Sequence, residues 1–146
     1  MVRRMLPEDA PAVREICAAA LGHEASETLI ARRIAELAAD PAYYIAVCVS
    51  DTAHTVQGLI EAETYRLLYG GSGWNVIALA AAPEAQGQGV GRALLASLET
   101  LARERGDTFI RLNSRVERTE AHGFYAHLGY VCDKTQKRFI KTLGAE

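Results

Sequence analysis

The segment Pro83-Glu84-Ala85-Gln86-Gly87-Gln88-Gly89-Val90-Gly91-Arg92-Ala93-Leu94 places a glycine-dense turn directly between an apolar strand and a long amphipathic helix. Glycines let a backbone take positive φ and let a ligand come close, so several N–H groups can converge on one anion. The helix that starts inside the turn adds its unpaired first-turn N–H groups and the positive end of its dipole. A plain strand-to-helix turn would need only one or two glycines, and Pro83 already breaks the strand. The segment reads as a phosphate cradle.

Spacing narrows the ligand. A P-loop requires Lys and then Ser or Thr after its last glycine, but Arg92 and Ala93 follow Gly91. A dinucleotide fingerprint needs Gly-x-Gly-x-x-Gly after a first strand; counted from Gly87 its last position is Arg92, and counted from Gly89 it is Leu94. What stands is Gln86-x-x-Gly89-x-Gly91, preceded by a strand and Pro83 and followed by Arg92-Ala93-Leu94-Leu95. This resembles the coenzyme A pyrophosphate loop of the GNAT N-acetyltransferase superfamily. Two further stretches agree with it in order and spacing. Val2 to Ala10 looks like the family's first strand and helix start, and Asn113-Ser114 with Ala121-His122-Gly123-Phe124-Tyr125-Ala126-His127-Leu128-Gly129-Tyr130 resembles its last helix and closing signature.

The length of 146 residues suits one domain, residues 1–146, with a real core. Charged residues form 23% of the chain and the net charge is −2, so neither disorder nor nucleic acid is expected; phosphate binding would be local. Cys17, Cys48 and Cys132 lack metal-ligand spacing and read as buried small hydrophobes in a reducing cytoplasm, and no metal site is expected. Arg3, Arg4, Glu8 and Asp9 interrupt any apolar run of signal or membrane length at the N-terminus, which points to a cytoplasmic protein with no membrane partner.

Periodicity predicts a helix from Pro7 or Asp9 through Ala20, and a second over Ser26 to Ala39 with Ser26 as its cap and Asp40-Pro41 as its stop. Strands are predicted at Tyr43 to Val49, Val56 to about Tyr65, Trp74 to Ala82 and Thr108 to Asn113, with helices at Val90 to Arg105 and Glu117 to His127. Tyr130 with Phe139 to Leu143 is expected to close the sheet. The fold class is α/β (α+β): a GNAT-like domain whose mixed, mostly antiparallel sheet carries helices on both faces.

The resemblance implies an acetyl-CoA-dependent N-acetyltransferase that moves the acetyl group to a primary amine of a small molecule by direct attack in a ternary complex. It implies that Leu79, Ala80 and Ala81 present main-chain groups to the pantetheine arm, and the small residues of Ala78 to Ala82 would admit it. It carries over Gln86, Gly87, Gln88, Gly89, Val90, Gly91 and Arg92 as the pyrophosphate loop, and Asn113, Arg118 and Tyr125 as further cofactor contacts. Tyr125 matches the position of the general acid for the departing thiolate. Many family members carry a Glu about five residues before the proline; that position is Ala78 here. Glu61 and Glu63, two apart on the neighbouring strand, would share one face with Leu59 and Tyr65 and are the candidates for holding the ammonium and taking its proton. Decoration of a solvent face is their alternative role, and His122 and His54 are lesser candidates for the base. Arg118 and His122, four apart on the final helix, could meet the cofactor or an anionic substrate group. That segment is also similar to the aminoalkylphosphonate acetyltransferase branch. The acceptor pocket is expected from Leu21 to Ser26, Tyr65 to Trp74 and the final strands. Two other functions stay open: acetylation of a protein N-terminus or lysine, and cofactor binding without turnover. A homodimer would be in keeping with the family.

Overall fold

A computed structural model describes residues 1–145. They fall into two compact units, Met1–Leu112 and the chain from Asn113 onward.

The first unit is built on a five-stranded sheet in the order β1 (Val2–Arg4), β2 (Tyr43–Val49), β3 (Val56–Arg66), β4 (Ser72–Ala81), β5 (Phe109–Leu112). The first four strands pair antiparallel and β4 with β5 parallel, which is the predicted mixed, mostly antiparallel sheet. β2 is apolar along its whole length because both of its faces are covered, and it is buried from Tyr44 to Val49. α3 (Val90–Glu104) covers one face, with Leu94, Leu95 and Leu98 fully buried and the Tyr44 hydroxyl donating to Ser97 Oγ at 2.9 Å. Gly58 makes this close approach possible: a Cβ there would lie 2.4 Å from Val90 Cγ1. At the far end of the same face Trp74 is fully buried and donates its indole N–H to Asp107 at 2.8 Å.

α1 (Ala10–Ile16) and α2 (Glu27–Ala38) pack on β3 and β2 respectively, on the opposite face. The first predicted helix is three conformations in series. A 3₁₀ turn at Pro7–Asp9 leads into α1, which widens into a π-helical turn over Cys17–Leu21 and ends at Gly22, whose φ is 71°. The Asp9 side chain makes no cap bond to α1; its carboxylate accepts from the Leu6 N–H and from both terminal nitrogens of the Arg3 guanidinium, each at 2.8 Å. The Ser26 cap is as expected, with its Oγ accepting the Leu29 N–H at 3.1 Å.

The second unit contains α4 (Thr119–His127), which begins two residues later than predicted and is followed by Gly129, φ 94°, after which the Tyr130 N–H returns to the Tyr125 carbonyl at 3.0 Å. The strands expected at Tyr130 and Phe139 to Leu143 do not form among the described residues. Their apolar side chains have no ladder beside them, and a strand without a partner has nothing to satisfy its backbone. Phe139 and Leu143 are accordingly about nine-tenths exposed, at 89% and 91%. The cysteine expectation needs correcting too: Cys48 is buried, but Cys17 is half-buried and Cys132, in this strandless tail, is exposed. No described helix is long and apolar enough to cross a membrane.

Candidate active site

The ladder between β3 and β4 runs regularly from Arg66↔Ser72 to Ala62↔Val76 and then from Glu61↔Ala78 onward, which leaves Ile77 as an extra residue in β4. On the other side β5 accompanies β4 only from Gly73 to Val76, so that pairing ends just before the β-bulge. Beyond it, Ala78 to Ala81 remain bonded to β3 on one edge, while the outer edge meets no strand among the described residues. Leu79, Ala80 and Ala81 thus lie on an edge that pairs with no strand among the described residues.

β4 runs into a 3₁₀ turn at Pro83–Ala85 and then the glycine loop. Gly87 and Gly89 take φ of 78° and 80°, and a Cβ on either would touch nothing, so it is the dihedral and not space that calls for glycine. Gly91 is helical, inside the first turn of α3. Gly89 caps α3 without any side chain on the free amides of Val90, Gly91 and Arg92. Gln86, Gln88 and Arg92 are exposed, Gln88 being held to the Glu84 carbonyl at 3.2 Å. Arg92 sits where a cation opposes the helix dipole, with no ion pair among the described residues. The loop can hold an anion.

The two acids of β3 do share a face, and it is the face under α1 and α2. Glu63 is engaged: it accepts from Asn75 Nδ2 at 2.9 Å, Asn75 Oδ1 accepts from Arg111 at 2.6 Å, and the Arg111 guanidinium lies 4.7 Å from the Tyr65 ring centre. Glu61 lines a cavity of about 160 Å³ whose other walls include Val13, Ile30, Ile34, Ile45 and Leu59. No hydrogen bond or ion pair reaches its carboxylate among the described residues. Burial first, and then the charge of Glu63, push its pKa up; Arg33 draws it partly back. Its cross-strand neighbour is Ala78.

The cavity draws on α1, α2 and the sheet, and on neither the Leu21 to Ser26 segment nor the Tyr65 to Trp74 loop. Sequence reasoning missed these walls. The helical periodicity of Ile30, Ile34 and Leu37 marked a core face, and nothing in it distinguishes a filled core from a gap. Asn75 and Arg111 were missed as well, because their link to Glu63 is a matter of register across three strands.

In the second unit, Tyr125 is half-buried, with its ring edge-on to Phe124 and Tyr130 at 5.3 and 6.2 Å. Burial raises its pKa and Arg118 lowers it to a smaller degree, so the phenol keeps its proton. His122 Nε2 lies 2.7 Å from the Arg115 carbonyl, so the ring is occupied by a local hydrogen bond. Asn113 and Arg118 are exposed, and His54 stands in the β2–β3 turn with a φ of 56°.

Solved structures share the fold over nearly the full length. An aminoglycoside 6'-N-acetyltransferase from Acinetobacter baumannii is 13% identical, covers 99% of each chain and has a TM-score of 0.81. Glucosamine-6-phosphate N-acetyltransferase from Arabidopsis thaliana is 15% identical over 96% of this chain and 97% of its own, with a TM-score of 0.79. A transcriptional regulator from Bacillus halodurans C-125 is 19% identical over 97% and 99%, with a TM-score of 0.83. No curated protein matches the chain. Identities this low speak for the fold alone, and it is the match to the acetyltransferase (GNAT) family over residues 8–130 that makes the chain a member of that family.

Proposed function

We propose that this acetyltransferase is an acetyl-CoA-dependent N-acetyltransferase of small primary amines, with Glu61 as the group that holds and deprotonates the acceptor ammonium. One observation carries the proposal: Glu61, which lines an apolar cavity and has no hydrogen-bond partner among the described residues, stands directly across the ladder from Ala78. The acid that many relatives place at Ala78 has an equivalent one strand away. Burial makes this half-buried carboxylate harder to ionise than one in water, and that supports a functional role for it.

The donor fits the residues present. The outer edge of β4 at Leu79 to Ala81, which pairs with no strand among the described residues, suits an extended arm, and the loop from Gln86 to Arg92, with its first-turn amides and a guanidinium without an ion pair among the described residues, suits a diphosphate. When bound, acetyl-CoA supplies an activated acyl carbon and a thiolate leaving group. Glu61 accepts one ammonium proton at its carboxylate and passes it to solvent, which frees the nitrogen lone pair to form the new N–C bond as the C–S bond breaks. Tyr125 gives its phenolic proton to the departing sulfur and regains one from the acylated nitrogen. Glu63, already bonded to Asn75, fixes the polar wall beside Glu61 and takes no proton. Arg118 and Asn113 are proposed as further contacts to the donor.

Release of free CoA thiol from acetyl-CoA across a panel of primary amines tests the proposal. Amine-dependent release that falls about a hundredfold in Glu61→Gln supports it. Tight donor binding without amine-dependent release would sink it.

A further inference from the structure

The cavity at Glu61 also constrains the acceptor's shape, and this step rests on the acetyltransferase reading of the same site. Its volume of about 160 Å³ is close to that of an apolar cavity that takes up benzene, about 150 Å³, and well below the several hundred Å³ of sites for drug-sized ligands. The space exists because Ala78 is small where it faces Glu61. The lining is aliphatic apart from Glu61, Arg33 and the Cys17 thiol.

Charge limits the ligand as firmly as size. Glu61 is the only carboxylate in the lining, and Glu63 beside it is committed to Asn75. Arg33, on the α2 side and 3.8 Å from Glu36, would repel a second ammonium. Hydroxyl groups of a sugar would find almost no donors or acceptors in this lining, at the usual cost of burying polar groups unpaired. We infer that the cavity takes the apolar body of a small monoamine, a chain of about five or six carbons or a single ring, with its ammonium at Glu61, and that aminoglycosides and amino-sugar phosphates are poor acceptors.

The test uses the whole chain with n-propylamine through n-octylamine, 2-phenylethylamine, kanamycin and glucosamine-6-phosphate. CoA thiol release gives kcat/KM, and calorimetry with CoA present gives amine binding directly. Each added methylene should raise kcat/KM and affinity about fourfold until the cavity is full, after which both should fall. Ile30→Phe should move that break to shorter chains and Ile30→Ala to longer ones, a pair of opposite shifts that partial unfolding would not produce. A flat chain-length series, a break unmoved in both variants, or a higher kcat/KM for kanamycin or the sugar phosphate would overturn the inference. Alkylamines that bind with the expected break but release no thiol would uphold the cavity's selectivity and defeat the acetyltransferase reading. Turnover of kanamycin alone would do the reverse.

Discussion

Glu61 is a residue whose environment works against its own charge, and this gives it two separable signatures. Its carboxyl is held above the ordinary range chiefly by burial, so the folded protein binds that proton more tightly than the unfolded chain does. Stability from this group is therefore lost as pH rises from the ordinary carboxylate range through the raised value, and stays lost above it. Glu61→Gln should raise the melting temperature at neutral pH and leave it unchanged well below the carboxylate range, as thermal denaturation across pH would record. The same variant should lose the rising limb of the kcat/KM profile, a limb that in the parent protein is displaced upward from the usual carboxylate pH. Tyr125 carries the complementary expectation: Tyr125→Phe should lower kcat by about a hundredfold while the acetyl-CoA dissociation constant, measured by calorimetry, stays within about twofold. That Glu61 and Glu63 share a face was legible from their spacing, because side chains alternate along a strand. The difference between their surroundings was not. It depends on Asn75 reaching Glu63 and on Ala78 standing opposite Glu61, and cross-strand register is invisible in one strand's sequence.

Among the elements, the glycine loop and α3 were the most legible, since φ-permissive residues and a strong apolar stripe both leave local traces. Val90 opens the helix as predicted, and its end at Glu104 lies one residue from expectation. Substituting Gly89 acts on this element: a branched side chain at φ 80° costs about 1 to 2 kcal/mol of backbone strain and tilts the amides it presents. Gly89→Val should abolish measurable acetyl-CoA binding with only that modest loss in chemical stability, so calorimetry and urea unfolding together separate loop function from folding. Gly58→Ala acts from beneath. Its Cβ would meet both Val90 and the Ala80 carbonyl, so α3 must lift and stability should fall by roughly 1 to 3 kcal/mol. The widening of the first helix over Cys17–Leu21 left no such trace, because a run of cysteine, alanines and leucine suits a tight helical turn as well as a wide one.

Over the whole molecule, the mixed sheet and its two helical faces followed from the order of strands and amphipathic helices. The closing strands did not, because apolar alternation shows only that a segment could pair and says nothing of whether a partner edge is in place. The contact that ties β1 to the first helical turns, six residues on, is Arg3 with Asp9. Burial alone would raise the Asp9 carboxyl, but the Arg3 hydrogen bonds, the Leu6 N–H and the Arg3 charge outweigh it and hold the pKa below the ordinary value. This stabilisation is present above the ordinary carboxylate pKa and is lost as pH falls through the lowered one. Asp9→Ala should cost about 2 kcal/mol in urea unfolding at pH 7, and the difference from the parent should shrink in strong acid. Ile77 has a consequence for how the chain tolerates changes in length. Asn75 and Ala78 lie three positions apart yet face the same helices, which a regular pleat forbids; the bulge supplies the missing half-step. Removing one residue from Ala78 to Ala81 would turn part of the strand inside out, whereas removing Ile77 itself would leave every side chain on its own face. The position where β4 can best bear a deletion is thus the one that opens the sheet, and a chain lacking Ile77 should melt cooperatively while binding no acetyl-CoA.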